Sequence, residues 1–142
     1  LAAGQRRALR AALDDAGLAT DELDYVNSHG TGTVEGDPVE IDALRQVFGP
    51  RAEAVAVSST KSMLGHMLGA TGAVEALLTV LALTRQQVPP TAHLRKVDPA
   101  CDGVRHVAGV GQDLPLRAAL SSSFAFGGSN AVLAFRRHVA TH

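Results

Sequence analysis

The spacing of apolar residues predicts two helices separated by a short strand in the first third of the chain. Alanine and leucine recur at helical intervals over residues 1–16, and Gly17 follows as a stop signal. A strand is expected over 23–27. The pair Asp37-Pro38 is typical of an N-cap followed by a first helical residue, which predicts a second helix over 37–48.

The rest of the chain adds three strands and one long apolar helix. The last two strands flank a glycine turn and are expected to form a hairpin. This alternation predicts an α/β fold with a mostly parallel sheet, which binds ligands at the carboxyl ends of its strands. The predicted ranges are 54–57, 118–122 and 131–137 for the strands, 69–87 for the helix and 91–116 for a loop region.

Composition and charge narrow the class of protein. With 142 residues, 46% of them hydrophobic, the chain can form one domain with a buried core. Thirteen Lys and Arg residues against fourteen Asp and Glu leave a net charge of −1, and we expect no nucleic acid partner without a basic stripe. The apolar stretch 73–83 is shorter than the roughly 20 residues that span a bilayer. It predicts a buried helix and no membrane partner.

The cysteine content and the first residue add two expectations. Cys101 is the only cysteine, so no intrachain disulfide can form and a reducing compartment, the cytoplasm, is expected. Its turn-like surroundings offer no helix N-terminus or base that would form a thiolate, which favours a structural role. Because Leu1 falls within a helical pattern and is not methionine, we expect the chain to be part of a longer polypeptide.

Two histidines follow predicted strands in polar, glycine-containing segments. His29 begins the sequence His-Gly-Thr-Gly-Thr, and His66 ends a segment that contains Lys61. Either histidine alone is more typical of a hydrogen-bonded structural residue, whereas both at adjacent strand ends, with a lysine, indicate polar chemistry. No third ligand stands at a zinc-binding spacing and no phosphate-binding glycine motif is complete, so neither a metal nor another cofactor is expected.

Glu75 is an acidic residue within the long apolar helix. Burying an unpaired carboxylate costs several kcal/mol, roughly, or forces its neutralisation. A Lys61–Glu75 ion pair is therefore one hypothesis. The alternative is that Glu75 reaches the surface near the start of the helix, where the helix dipole favours a negative charge.

The glycine turn between the last two predicted strands is a third candidate segment. It contains Phe124, Phe126, Gly127 and Gly128, and its backbone N–H groups can point toward a bound oxyanion. Three serines precede it, yet no G-x-S-x-G nucleophile motif occurs. Stabilisation of an enolate or thioester oxyanion fits these residues better than a self-contained hydrolase does.

Three blocks of sequence together resemble the β-ketoacyl-acyl carrier protein synthases, in the C-terminal half of that family. The resemblance runs through essentially the whole chain in the same order and includes Val88-Pro89-Pro90-Thr91 after the long helix. It implies one lobe of the thiolase-like fold over residues 1–142, with a mixed, mostly parallel sheet and helices packed against it. The blocks are Val26-Asn27-Ser28-His29-Gly30-Thr31-Gly32-Thr33 with Gly36-Asp37, Ser58-Ser59-Thr60-Lys61-Ser62-Met63-Leu64-Gly65-His66, and Ser123-Phe124-Ala125-Phe126-Gly127-Gly128-Ser129-Asn130.

The resemblance implies a decarboxylative Claisen condensation in fatty-acid or polyketide biosynthesis. His29 and His66 correspond to the family histidines that bind the malonyl thioester oxygen as enolate charge develops. Lys61 corresponds to the lysine that orders the surroundings of the second histidine, and Glu75 to its acidic partner. Glu40 falls at a family acidic position, where a structural or surface role is comparably expected.

The resemblance also assigns the glycine turn. Phe124 and Phe126 match gating aromatics, and the Phe126 N–H would share the acyl oxyanion hole with the N–H of the nucleophile. The family usually has glycine where this chain has Ala125, and alanine disfavours a positive φ, which is expected to stiffen the gate.

The family's nucleophilic cysteine belongs to the N-terminal half, so we expect no nucleophile in this chain and no acyl-enzyme without that half. The implied partners are acyl carrier protein bearing acyl and malonyl thioesters, the N-terminal lobe, and a second subunit in a homodimer or heterodimer. An exposed apolar face is expected where the other lobe packs. The alternatives are a non-catalytic chain-length-type subunit or interaction module that pairs with a full ketosynthase, and a small hydrolase or thioesterase.

Overall fold

The computed structural model describes residues 2–140, and Leu1, which the apolar spacing assigns to the first helix, lies outside them. Within residues 2–140 the structure contains four α-helices and seven strands. The helices are α1 (Ala2–Asp15), α2 (Gly36–Phe48), α3 (Lys61–Leu64) and α4 (Thr71–Arg85). The strands are β1 (Leu23–Asn27), β2 (Ala56–Ser58), β3 (Gln87–Val88), β4 (Arg105–His106), β5 (Gln112–Asp113), β6 (Ala118–Phe124) and β7 (Asn130–Arg136).

Five of the strands form the main sheet, in the order β4-β2-β1-β6-β7. The neighbours from β4 to β6 are parallel, and β6 pairs with β7 in an antiparallel hairpin. The predicted mixed, mostly parallel sheet is thus present, and β1 lies at its centre. Because β1 and β2 are parallel neighbours, the segments that follow Asn27 and Ser58 leave the sheet at the same edge.

Each face of the sheet carries its own apolar core. Helices α1 and α2 pack on one face, where Leu9, Leu44 and Leu120 are fully buried. The second face buries Tyr25 and Ala119 against the end of α4. Two layers of helices around a central sheet give the α/β architecture that the alternation of elements predicts.

Several boundaries differ from those predicted. Helix α2 begins at Gly36 rather than at Asp37, and the Thr33 hydroxyl accepts the Gly36 N–H at 3.1 Å in the preceding turn. Residues 49–54 form a 3₁₀-helix, so the predicted strand over 54–57 lies at Ala56–Ser58 instead. The predicted loop over 91–116 contains β4 and β5, two-residue strands too short to produce an alternating pattern.

The prediction that the apolar helix is buried was wrong for one of its faces. Buried residues recur along a single stripe of α4, while Leu77 and Val80 are 59% and 41% exposed. By length and composition alone, Leu68–Arg85 is apolar enough to cross a membrane, with a mean hydropathy of 1.3. A helix on a sheet contacts it along one side only, and nothing within residues 2–140 covers the opposite side of α4.

Candidate active site

The loop after β1 places His29 at the carboxyl edge of the sheet. The Ser28 N–H donates to the Ser58 carbonyl at 2.9 Å, which extends the β1–β2 pairing by one residue. The next two backbone N–H groups, of His29 and Gly30, donate at 2.8 Å to the two carboxylate oxygens of Glu40. Helix α2 thereby holds the backbone of His29 and Gly30 in place through the Glu40 carboxylate.

Glu40 is a structural residue whose importance the sequence left open. Its side chain is 3% exposed, which excludes the surface interpretation. Burial raises the pKa of Glu40 to about 7, against the lowering effect of the two N–H bonds. The feature of the sequence that could have indicated this burial is the position of Glu40 on the face of α2 that also carries the apolar residues Ile41 and Leu44.

Helix α3 and the start of α4 hold Lys61 and Glu75 against each other. Lys61 Nζ donates to Glu75 Oε1, and the two side chains are 6% and 3% exposed. Burial raises the pKa of Glu75, while the neighbouring ammonium lowers it. Of the two interpretations of Glu75 from the sequence, the structure contains the buried pair rather than a surface carboxylate.

A buried polar layer connects this pair to the central strand. Asn27 is fully buried, and its amide donates to the Glu75 carbonyl at 3.3 Å and to the Thr79 hydroxyl at 3.4 Å. The Thr60 hydroxyl donates to the Asn27 side-chain oxygen at 3.3 Å. Helix α4 is therefore tied to β1 by hydrogen bonds at the level of the ion pair.

Hydrogen bonding fixes the tautomer of His66. The Leu68 N–H donates to His66 Nδ1 at 3.1 Å, and the Thr71 hydroxyl lies 3.1 Å from the same nitrogen. Since a backbone N–H can only donate, Nδ1 is the acceptor and the proton of the neutral ring sits on Nε2. Leu68 adopts φ +51°, a strained value for a residue other than glycine, in the turn that makes this contact.

The rings of His29 and His66 are neighbours in the site. Their centroids are 5.6 Å apart in an edge-to-face arrangement, and the Phe124 ring lies 6.1 Å from His29 on another side. Burial, reinforced by the positive charge of Lys61 and by His66, lowers the pKa of His29 to about 4. His29 is thus an uncharged imidazole at neutral pH, one of two adjacent rings whose nitrogens can form hydrogen bonds.

The glycine turn closes the β6–β7 hairpin beside His29. Gly127 and Gly128 have φ values of +79° and +81°, which explains glycine at both positions. Phe124 is 8% exposed, whereas Phe126 is fully exposed. Ala125 has φ −126° and ψ 162°, so the expected conflict between alanine and a positive φ does not arise in this conformation.

Cys101 stays outside this cluster. It ends a 3₁₀-helix at Pro99–Cys101, and burial raises the pKa of its thiol, with four nearby carboxylates adding to the effect. A thiol with a raised pKa is a poor nucleophile at neutral pH. Across residues 2–140, no three His, Cys, Asp or Glu side chains are grouped so as to hold a metal ion.

Residues 2–95 match the family described as beta-ketoacyl synthase, C-terminal domain. The chain belongs to the β-ketoacyl synthase family. Nodulation protein E of Rhizobium sp. (strain N33) is 47% identical over 134 residues, which cover 94% of this chain and 33% of that protein. The 3-oxoacyl-[acyl-carrier-protein] synthase 2 of Staphylococcus aureus (strain COL) is 46% identical over 134 residues, covering 94% and 32%. This synthase domain therefore spans about a third of the length of the curated relatives it matches.

Solved structures show the same fold. A beta-ketoacyl synthase from Burkholderia phymatum STM815 superposes with a TM-score of 0.91 at 41% identity, over 97% of this chain and 33% of that one. A ketosynthase in the AntDE:AntF complex, a type II polyketide synthase acyl carrier protein with its ketosynthase, gives a TM-score of 0.92 at 32% identity, over 98% and 34%. The predicted thiolase-like fold of the synthase domain is confirmed.

Proposed function

We propose that this domain contributes His29, His66 and Lys61 to a β-ketoacyl-acyl carrier protein synthase that joins malonyl-acyl carrier protein to an acyl thioester. The observation that supports the proposal most strongly is the pair of adjacent imidazoles beside a buried ion pair. The nucleophilic cysteine that holds the acyl group is supplied by an N-terminal domain outside these 142 residues. Relatives named as synthases, together with the family match, support the same reaction class.

In the proposed reaction, the malonyl thioester carbonyl oxygen accepts hydrogen bonds from the ring N–H groups of His29 and His66. The bond to the malonyl carboxylate breaks, carbon dioxide leaves, and the electron pair remains as an enolate whose oxygen the two donors stabilise. The enolate carbon then attacks the acyl thioester carbonyl. A carbon–carbon bond forms and the cysteine sulfur leaves as a thiolate, so atoms and charge balance.

The tautomer of His66 supports its part in this scheme. Its proton sits on Nε2 because Nδ1 accepts the Leu68 N–H, so the free edge of the ring is a donor. His29 Nδ1 is buried and has no hydrogen-bond partner within the described residues. Lys61, paired with Glu75, keeps the surroundings of both rings in one arrangement without itself needing to contact the substrate.

The glycine turn and the partners complete the proposal. The Phe126 N–H lines the acyl oxyanion hole, and Phe124 and Phe126 gate the acyl pocket. Acyl carrier protein is the proposed donor of both thioesters, in line with a structural relative that is a complex of a carrier protein with its ketosynthase. A paired lobe, a dimeric assembly and a cytoplasmic location are part of the same proposal, for fatty-acid or polyketide biosynthesis.

The test separates decarboxylation from acylation. This chain, combined with the N-terminal domain, is supplied with malonyl-acyl carrier protein, and carbon dioxide release is measured for wild type, His29→Ala and His66→Ala. We expect losses of about a hundredfold or more, the usual effect of removing an oxyanion donor, while intact mass shows the same acylation of the cysteine. Undiminished decarboxylation in His29→Ala, or acylation of this chain by itself at Cys101, would refute the proposal and favour a non-catalytic subunit or a thioesterase.

A further inference from the structure

Ser59 is the residue at which three loops of the site meet. Its hydroxyl donates to the Gly30 carbonyl at 2.6 Å, immediately after His29. Its backbone N–H donates to the Thr91 hydroxyl at 2.9 Å. Ser59 is 7% exposed and stands two residues before Lys61. One serine therefore connects the loop that carries His29, the turn that carries Lys61 and the segment after β3.

The contact between the first two loops is tight. Gly30 has φ +33°, and a Cβ added there would lie 2.7 Å from the Cβ of Ser59 and 2.9 Å from its hydroxyl oxygen. Such distances do not occur between real side chains, so glycine is required for the approach. The two loops therefore approach closely at this point, and the hydrogen bond from the Ser59 hydroxyl to the Gly30 carbonyl is one of the contacts that set their separation.

The backbone of Thr91, in the third loop, is held by hydrogen bonds of its own. The Thr91 N–H donates to the Val107 carbonyl at 2.8 Å, and the Thr91 carbonyl accepts the Gly109 N–H at 3.0 Å. Both backbone groups of Thr91 are thus held by the segment that follows β4, which pairs with β2. The Thr91 hydroxyl is consequently a fixed acceptor rather than a mobile surface group.

The Ser62 hydroxyl also connects the Lys61 turn to the segment that contains Thr91. Ser62 Oγ donates to the Ser59 carbonyl at 2.7 Å and accepts the Ala92 N–H at 2.7 Å. The residue after Lys61 is therefore tied to the residue after Thr91. Lys61 lies between two residues whose positions are set by the segment over 91–92.

We propose that Ser59 and Thr91 are positioning residues for the decarboxylation step, which hold the His29 loop and the Lys61 turn at the separation that places both histidines on one substrate oxygen. This inference rests on the proposed function of His29 and His66. Ser59 and Thr91 act through the backbone and contact no reacting atom. Neither of the two histidines has a direct hydrogen bond to them in the structure's described part.

The experiment compares hydroxyl deletions with matched controls in this chain combined with the N-terminal domain. Ser59→Ala and Thr91→Val remove the two bonds, while Thr91→Ser retains its hydroxyl. Ser28→Ala deletes a similarly buried hydroxyl that donates to the Ser58 carbonyl at 3.2 Å, and this carbonyl keeps its bond from the Ser28 N–H. The readouts are kcat and KM for malonyl decarboxylation and amide hydrogen exchange over residues 29–36.

For Ser59→Ala and Thr91→Val we expect kcat to fall about tenfold with KM changed less than about twofold, since small displacements of catalytic groups reduce rate more than binding. Exchange over residues 29–36 is expected to accelerate in both. Thr91→Ser and Ser28→Ala are expected to match wild type in both readouts. An equal loss in Ser28→Ala, a failure of Thr91→Ser to retain activity, or unchanged exchange in Ser59→Ala would each overturn the inference.

The two readouts distinguish failure of this inference from failure of the proposed function. If His29→Ala retains full decarboxylation, the proposed function is wrong, and with it the effect on kcat. Hydrogen exchange does not depend on the reaction, so it still shows whether Ser59 and Thr91 fix the His29 loop. If exchange over residues 29–36 accelerates in Ser59→Ala and Thr91→Val but kcat is unaltered, in an enzyme that needs His29, only the positioning role is refuted.

Discussion

Replacing Lys61 with methionine leaves the Glu75 carboxylate buried without its cation. The carboxylate side chain is 3% exposed, and its Oε2 has no hydrogen-bond partner within the described residues even in the wild type. Removing one partner of a buried ion pair costs about 3–5 kcal/mol of unfolding free energy. The polar layer around Asn27 binds only the Glu75 carbonyl, so it offers the carboxylate no substitute.

The loss depends on pH in a direction that follows from the protonation of Glu75. Burial already raises the pKa of Glu75 above its usual 4.5, and without Lys61 the pKa rises further. The folded variant then binds the proton more tightly than the unfolded chain, so its stability falls as pH increases from about 4.5 upward, by at most about 1.4 kcal/mol per pH unit. The loss relative to wild type is therefore expected to be larger at pH 8 than at pH 5.

The assay is urea unfolding of wild type and Lys61→Met, followed by circular dichroism between pH 5 and 8. The double variant Lys61→Met/Glu75→Gln is the control, because it removes the buried charge along with its partner. We expect it to recover about 2 kcal/mol or more relative to Lys61→Met at pH 8, and much less at pH 5. A difference between wild type and Lys61→Met that stays constant with pH would show that lost packing, not a buried charge, causes the effect.

Three further predictions concern other parts of the domain. Gly30→Ala is expected to lower the unfolding free energy in urea by about 1–3 kcal/mol, because Gly30 has a positive φ and the new Cβ would clash with the Ser59 side chain. Gly69→Ala is the control and is expected to cost little, since no atom lies within 4 Å of its new Cβ. Glu40→Gln presents an amide N–H₂ to one of two backbone donors and is expected to lower the unfolding free energy by about 1–3 kcal/mol. Because the pKa of Glu40 is raised to about 7, the wild type loses stability as the pH rises from 4.5 to 7, and this dependence of stability on pH is expected to be weaker in the variant. Leu77→Glu, at a position 59% exposed, is expected to change stability by less than about 0.5 kcal/mol while reducing self-association in light scattering. Equal losses for the two glycine variants, an unchanged pH slope, or undiminished association would contradict these expectations in turn.

Much of the fold followed from local pattern. The stop at Gly17, with φ +58°, and the hairpin around the glycine turn were both predicted. The strands β4 and β5 were not, because two residues in a strand produce no periodicity and are held only by their neighbours in the sheets. An exposed apolar face was expected but not placed on α4, because the identity of an apolar residue does not show whether it lies on the buried or the exposed side of a helix.

The sequence by itself determined the order of the longer helices and strands, the family and the candidate residues His29, Lys61, His66 and Glu75. These are properties of residue type and spacing, which are read along the chain. Tertiary structure alone decided that Glu40 supports the backbone of His29 and that Ser59 joins two loops. Both depend on hydrogen bonds between segments 11 to 29 residues apart, whose geometry exists only when parallel strands bring their carboxyl ends to one edge of the sheet.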